Sequence, residues 1–283
     1  MSDTHTVTDG PPERPGTHPE QARTADKIRI EGLDYRYRPR GRDEVVALAD
    51  VDLTVRRGEF LSVVGPSGCG KSTLLRVIAG LQQPSAGRVR LHQENPARPL
   101  VAPVFQEYSI FPWRTVEDNV RLGLDAAGVE RRTARDRVHG WLERVGLRGF
   151  EKAFPGNLSG GMKQRVALAR AFVVEPEILL MDEPFAALDA QLRKVLQEEL
   201  ISIVREHRYT VFFVTHNLDE AILLSDRIAL MSARPGRIQQ LIDVPFGHPR
   251  KPELRQDPEF VRLEEDLWSR LRGEVHVATG GTR

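Results

Sequence analysis

The chain has 283 residues, 40% of them hydrophobic, and its 41 Lys and Arg against 40 Asp and Glu leave a net charge of +1. Such a chain can bury a globular core, and its balanced charge gives no basic field to support binding of nucleic acid. No apolar run approaches the ~20 residues that span a bilayer, so a membrane role is expected through partners, and the single cysteine, Cys69, excludes an intramolecular disulfide and suits a reducing compartment.

Residues 1–26 are rich in Thr, Pro, Glu and His, lack the hydrophobic core of a signal peptide, and are expected to form a disordered tail. Order is expected from Lys27, where KIRIEGLDYRYR alternates as a half-buried strand does. Tyr35 and Tyr37 share one face of it; Tyr37, at the strand end, is the better candidate to stack on a nucleotide base, with packing on the sheet as the alternative. Arg38 to Asp43 reads as a hairpin tip. Strands are expected at Val51–Val55 and, after the Arg57-Gly58 turn, at Phe60–Val64.

The segment GPSGCGKST, comprising Gly65, Pro66, Ser67, Gly68, Cys69, Gly70, Lys71, Ser72 and Thr73, follows that strand and leads into a helix-like run to Ile78. It fits the phosphate-binding loop. Gly65, Gly68 and Gly70 are expected to adopt backbone torsions that a β-carbon would block, so that successive N–H groups turn inward around an anion, and the helix directs its positive end there. Lys71 is expected to reach the β- and γ-phosphates and Ser72 to ligate Mg²⁺. Cys69 reads as a small filler rather than a nucleophile, since no His partner is evident.

Strands follow at Arg88–Leu91 and Ala102–Phe105, ending at Gln106. Helical spacing covers Thr115–Leu124 and Arg131–Val145, the second with Val138, Leu142 and Val145 on one face. This helical insertion closes at Asn157–Gly161 and leads into a helix from Met162 to Val174. The run Ile178–Met181 is apolar throughout, as in a strand buried on both faces of a parallel sheet. It ends in Asp182-Glu183-Pro184. A helix at Ala190–Glu206, a strand at Thr210–Thr215, a helix at Leu218–Leu224 and a strand at Arg227–Met231 complete the alternation of an α/β fold. Beyond Asp243 the chain is proline-rich, then offers a helix at Glu259–Leu271 with Phe260, Leu263, Leu267 and Leu271 as a buried stripe. Packing on the rest of the chain is the default expectation for this helix and its Trp268, with covering a dimer surface or regulating access as the alternatives.

Ligands of α/β sheets sit at the carboxyl ends of strands, which places Asp182 to hold Mg²⁺ with Ser72. Glu183 cannot point the same way and is positioned to orient or deprotonate a water attacking the γ-phosphate. His216 ends the next strand and can bond that phosphate or Glu183. Gln106 can contact Mg²⁺ and the attacking water, a structural role being the alternative. Ser159, Gly160 and Gly161 at a helix start form a second anion site of N–H groups and hydroxyl.

Leu158–Arg165, LSGGMKQR, resembles the signature of ATP-binding cassette (ABC) ATPases. Tyr37, Gln106, Ala187-Leu188-Asp189 and His216 are similar in place to that family's aromatic loop, Q-loop, D-loop and switch histidine. The resemblance covers about residues 27–243, and Met162, where many members have Gln, departs from it. It implies a P-loop NTPase core with a parallel sheet, an antiparallel β subdomain and a helical subdomain at about 107–160, followed by an extension at 244–283. It also implies ATP and Mg²⁺ as ligands and a head-to-tail homodimer in which each ATP lies between one phosphate loop and the other copy's signature.

A single cassette without a fused membrane domain fits an importer subunit on the cytoplasmic face of the membrane, with integral membrane permease subunits and an extracellular or periplasmic substrate-binding protein as partners. Tyr108–Trp113 lies where such importers receive a coupling helix of the permease; filling the helical insertion's own core is the competing use. Val104–Arg114, Leu158–Met162 and Met231–Ile238 resemble the nitrate/sulfonate/taurine importer ATPases. Importers of pyrimidine vitamin precursors and a non-transport ABC ATPase remain alternatives. A phosphate-loop kinase or GTPase is disfavoured by the signature and by the lack of a guanine-reading Asn-Lys-x-Asp.

Overall fold

A computed structural model describes residues 26–38, 41, 43–186 and 188–278; the tail 1–25 and Ala187 of the expected D-loop lie outside the described residues. In chain order the strands are β1 (Asp26–Tyr37), β2 (Val45–Arg56), β3 (Phe60–Val64), β4 (Ala86–Leu91), β5 (Val101–Val104), β6 (Ile178–Asp182), β7 (Thr210–Val214), β8 (Arg227–Met231) and β9 (Ile238–Asp243). The helices are α1 (Lys71–Ile78), α2 (Val116–Ala126), α3 (Arg131–Arg144), α4 (Gly160–Phe172), α5 (Ala190–His207), α6 (Leu218–Leu224) and α7 (Pro258–Ala278).

Two sheets form. One is antiparallel, in the order β2-β1-β4; the other runs β5-β6-β7-β3-β8-β9. Its first five strands are parallel, and β9 pairs antiparallel with β8. The α/β architecture with an antiparallel β part and a helical part is therefore the one expected, with one correction: the main sheet is mixed. The sequence IQQLID of β9 gave little strand signal because it is an edge strand, with only Ile238 and Ile242 half-buried. β1 includes Asp26, one residue before the expected start, and β2 starts at Val45 rather than Val51.

The continuous apolar runs of β3, β6 and β7 are buried at every position, because both sheet faces are covered. Leu179, Met181, Val211 and Phe213 face a cluster formed by α2, α3, α4 and α5. Their sequence neighbours Ile178, Leu180, Phe212 and Val214 face α1 and the antiparallel sheet, as the twofold period of a strand requires. A third cluster joins Val64, Ile228 and Leu230 to α6 and α7. Phe260, Leu267 and Leu271 are buried there. At about 1.5–3 kcal/mol for each large apolar side chain, these hold α7 on the body of the protein. Trp268 does not share in this: it is 51% exposed, with the Arg272 guanidinium over its ring. Among the described residues no helix is long and apolar enough to cross a membrane.

The order of the main sheet determines where chemistry can gather. β5, β6, β7 and β3 are adjacent and parallel. Their carboxyl ends therefore form one rim, and the segments leaving it carry Gln106, Asp182-Glu183, His216 and the loop 65–73.

Candidate active site

The loop 65–73 joins β3 to α1 and is shaped by two different demands on glycine. Gly70, the residue preceding α1, has φ +111°, and a β-carbon there would lie 2.8 Å from Leu48 Cδ2 and 2.9 Å from the Ala47 carbonyl. Gly65 needs space rather than unusual torsion, a correction to the expectation: its β-carbon would sit 2.8 Å from the Met231 carbonyl oxygen. Lys71 is buried and its Nζ donates to the carbonyls of Gly65 (2.7 Å) and Pro66 (3.0 Å). The ammonium is thus held over the loop's own hollow. Cys69 is 1% exposed, and burial pushes its thiol above the usual range despite the nearby Lys71, as befits a packed filler and not a nucleophile.

Ser72 Oγ donates to Asp182 Oδ1 at 3.0 Å. Burial raises the Asp182 carboxyl, and Glu183 next to it adds in the same direction. A hydroxyl and a buried carboxylate at the end of a strand are the hard oxygen donors that suit Mg²⁺. Gln106 is exposed and lines, with Asp182, Arg76 and Phe105, a cavity of about 310 Å³.

Adjacent in sequence, Asp182 and Glu183 reach different partners. Glu183 adopts φ +48°, a region that non-glycine residues seldom occupy, while its N–H still donates to Val214 O at 2.9 Å. Its Oε2 lies 2.9 Å from His216 Nδ1. The His216 side chain remains 63% exposed, so its ring is open to solvent beyond that contact. Two residues absent from the sequence reading stand behind this pair. Arg193 donates to the Leu188 carbonyl at 3.0 Å, and the buried Glu220 accepts from Thr215 Oγ1 at 2.8 Å and Gln197 Nε2 at 3.2 Å. With Glu183 and His216 they line a cavity of about 40 Å³. Glu220 falls in the first turn of α6, where an acid reads simply as a favourable helix-end charge.

The two tyrosines separate clearly. Tyr37 Oη lies 2.9 Å from Thr73 Oγ1, at the end of the phosphate loop, whereas Tyr35 packs on the core and meets Tyr37 edge-on at 4.9 Å. Tyr37 is thus the one beside the loop.

Ser159 precedes α4 and its Oγ accepts from Met162 N–H at 3.3 Å. Gly161 lies close to α5: a β-carbon there would be 2.7 Å from Leu192 Cδ2 and 3.3 Å from Leu188 Cδ2, side-chain ends that would have to shift. Met162 packs on the helical cluster. None of the hydrogen bonds of 159–161 reaches the loop 65–73 within the chain. The segment 108–113 divides its side chains. Tyr108 and Ile110 pack on the helical core, Asn119 clamps the backbone at Phe111 (2.7 and 3.1 Å), and Trp113 is 69% exposed beside Phe111.

The family described as ABC transporter matches residues 48–186. An uncharacterized ABC transporter ATP-binding protein of Methanocaldococcus jannaschii, MJ0412, is 46% identical over 251 residues, 88% of this chain and 92% of that relative. The aliphatic sulfonates import ATP-binding protein SsuB of Bacillus licheniformis is 46% identical over 230 residues, 81% of this chain and 88% of its own length. Among solved structures, a dimeric structure of MJ0796, a bacterial ABC transporter cassette, has a TM-score of 0.70 at 30% identity and covers 78% of this chain and 100% of that one. A post-hydrolysis structure of the same cassette, bound to ADP and Pi, has the same score and identity. This degree of identity across most of both chains, on the strand order and rim of loops described above, makes the chain a member of the ABC transporter family, one of its ATP-binding, ATP-hydrolysing cassettes.

Proposed function

We propose that the chain is the ATPase subunit of a bacterial importer for a small anion such as an aliphatic sulfonate, taurine or nitrate. The observation that carries this is the 46% identity to an aliphatic sulfonates import ATP-binding protein over 81% of the chain. The ATPase unit spans 27–243, with a helical subdomain at about 107–160, and 244–283 extends it. In this reading Gly65–Thr73 cradles the phosphates and Tyr37 stacks on the base. Ser72, Asp182 and Gln106 would hold Mg²⁺, which when bound neutralises phosphate charge. Glu183 takes a proton from the attacking water at the carboxylate that His216 Nδ1 also contacts. His216, with its open ring edge, bonds the γ-phosphate. Ser159, Gly160 and Gly161 act on the ATP of a second copy, which accounts for their lack of hydrogen bonds to the loop of their own chain. ATP then holds two subunits together, and cleavage releases them, a population shift driven by loss of the bridging phosphate contacts.

Trp113, exposed beside the half-buried Phe111 on a segment whose backbone Asn119 fixes, forms the aromatic step on which a permease segment would seat. Partners are then the permease subunits and an external substrate-binding protein, with this subunit peripheral on the cytoplasmic face. The test is reconstitution of the subunit with the permease and binding protein in proteoliposomes. ATPase activity should rise when the binding protein carries an aliphatic sulfonate. No stimulation by sulfonates, taurine or nitrate would defeat the substrate assignment, and isolation of the native subunit in a purely soluble complex would defeat the importer reading.

A further inference from the structure

β8 and β9 are joined by residues 232–237, a connection with no part in the chemistry above, yet it lies directly against the phosphate loop. Arg234 Nε and Nη2 both donate to the Gly68 carbonyl, at 3.2 and 2.9 Å. Gly236 approaches so closely that a β-carbon would sit 2.2 Å from the Cys69 carbonyl oxygen. Its own N–H and C=O bond Ala47 O (2.9 Å) and Ala49 N–H (3.1 Å), stitching the connection to β2. The connection is itself held from the C-terminal helix. Glu274 of α7 accepts the Ala233 N–H at 2.8 Å through Oε2 and Gln239 Nε2 at 2.6 Å through Oε1.

This chain of contacts acts on the one feature a phosphate cradle depends on, the direction of its peptide groups. Gly68 has φ +74°, and a trans peptide points its C=O and the following N–H in opposite directions. Holding the Gly68 carbonyl therefore fixes the Cys69 N–H on the other side of the same peptide, where it donates to Pro66 O at 3.3 Å and closes the turn of the loop. The guanidinium grips with two N–H groups from one rigid plane, a grip that the single ammonium of a lysine does not reproduce. We propose that Arg234 is a positioning residue for nucleotide binding, fixing the Gly68–Cys69 peptide and with it the shape of the phosphate loop, and that Glu274 acts through it, so that α7 sets the affinity of the loop. Arg234 touches the loop and not the reacting atoms, so its effect falls on binding and not on turnover.

The inference rests on the nucleotide site and not on the import reading, so it is tested on the purified full-length subunit alone. The measurements are the affinity for a fluorescent ATP analogue, steady-state KM and kcat, and amide exchange of the 65–73 peptide without nucleotide. Arg234→Gln should raise Kd and KM by about tenfold, the scale of one charge-assisted hydrogen bond, with kcat within about twofold of wild type. Arg234→Lys should recover only part of the loss, and Glu274→Gln should shift Kd and KM in the same direction by less. Exchange within 65–73 should quicken in all three, a readout that needs no catalysis. Unchanged Kd and exchange in Arg234→Gln, or a fall in kcat at constant KM, would overturn the proposal, as would losses that follow melting temperature across the set. Failure of the wild-type chain to bind the analogue would instead count against the nucleotide site itself.

Discussion

Replacing Glu183 with Gln isolates the proton-accepting step, because almost everything else around the residue is preserved. Gln has the same shape, so the φ +48° turn and the Glu183 N–H bond to Val214 O at 2.9 Å are unaffected. The phosphate loop is spared as well: Ser72 bonds Asp182 and Lys71 bonds loop carbonyls, and neither depends on the Glu183 side chain. What is lost is the carboxylate oxygen 2.9 Å from His216 Nδ1 and its capacity to accept a proton. General-base catalysis contributes about 10²- to 10⁴-fold, so kcat should fall by that factor, equivalent to about 2.7–5.5 kcal/mol in the barrier. Phosphate release measured at saturating ATP reads kcat, analogue binding reads the loop, and gel filtration with ATP reads association. Turnover should collapse while binding stays within about twofold, and ATP should trap a dimer. Hydrolysis within about threefold of wild type would remove Glu183 from the role of base. Loss of ATP binding would show that the side chain supports the site instead of the reaction.

Three further substitutions probe the scaffold and its surfaces. Burial lifts the Glu220 carboxyl above its ordinary 4.5, against the opposing pull of Thr215 and Arg193. The folded state therefore binds this proton more tightly than the unfolded one, and the stability it contributes is full below pH 4.5 and lost as pH rises through the raised folded value. Gln cannot titrate, so the melting temperature of Glu220→Gln minus that of wild type should climb with pH over that window; a flat or falling difference would refute it. Arg250 is buried and donates to the carbonyls of Ile222 (2.7 Å), Ser225 (2.5 Å) and Phe246 (2.8 Å), closing the end of α6. Arg250→Ala should cost about 2–4 kcal/mol, seen as a lower denaturant midpoint at unchanged slope, and an unchanged midpoint would count against it. Trp113→Ala, at a 69% exposed position, should alter stability by less than about 0.5 kcal/mol and leave the isolated ATPase intact. It should weaken association with the permease by about 2–4 kcal/mol if Trp113 is an anchor, and full retention in a pull-down would exclude that.

Much of the fold was legible because its signals are local and periodic. Ile178–Met181 and Thr210–Val214 announce strands buried on both faces, and the loop 65–73 and Asp182-Glu183 stand where strand ends must meet. Each helix with an apolar stripe was found, although α7 runs on to Ala278. The strand β9 escaped because a half-exposed edge needs no apolar pattern. Gly65 reads in the sequence as a glycine needed for its torsion, because the Met231 carbonyl that forbids a β-carbon there lies far along the chain. The choice between Tyr35 and Tyr37 turns on a hydroxyl contact with Thr73, which strand periodicity cannot distinguish, because both side chains leave the same face.

The contacts that escaped the sequence share a physical character. Arg234 reaches Gly68 across 166 positions, and Glu274 reaches Ala233 across 41. Both reach a backbone group, a carbonyl for Arg234 and an N–H for Glu274, and a backbone group has no residue type to announce it. A charged side chain in a loop reads as solvated surface until the fold brings a carbonyl to it. The motif 231–238 was visible as a likeness to a group of importers, but its chemistry was not, because its partner is the shape of another loop. The candidate residues for ATP chemistry are therefore spelled out by type and spacing, whereas contacts such as that of Arg234 emerge only when distant peptide groups are brought together. For that reason Arg234 is a sharper probe of this molecule than any residue within the phosphate loop. Changing Lys71 or Ser72 tests the phosphate-loop motif itself, whereas changing Arg234 asks whether the connection between β8 and β9, gripped by the C-terminal helix, tunes this chain.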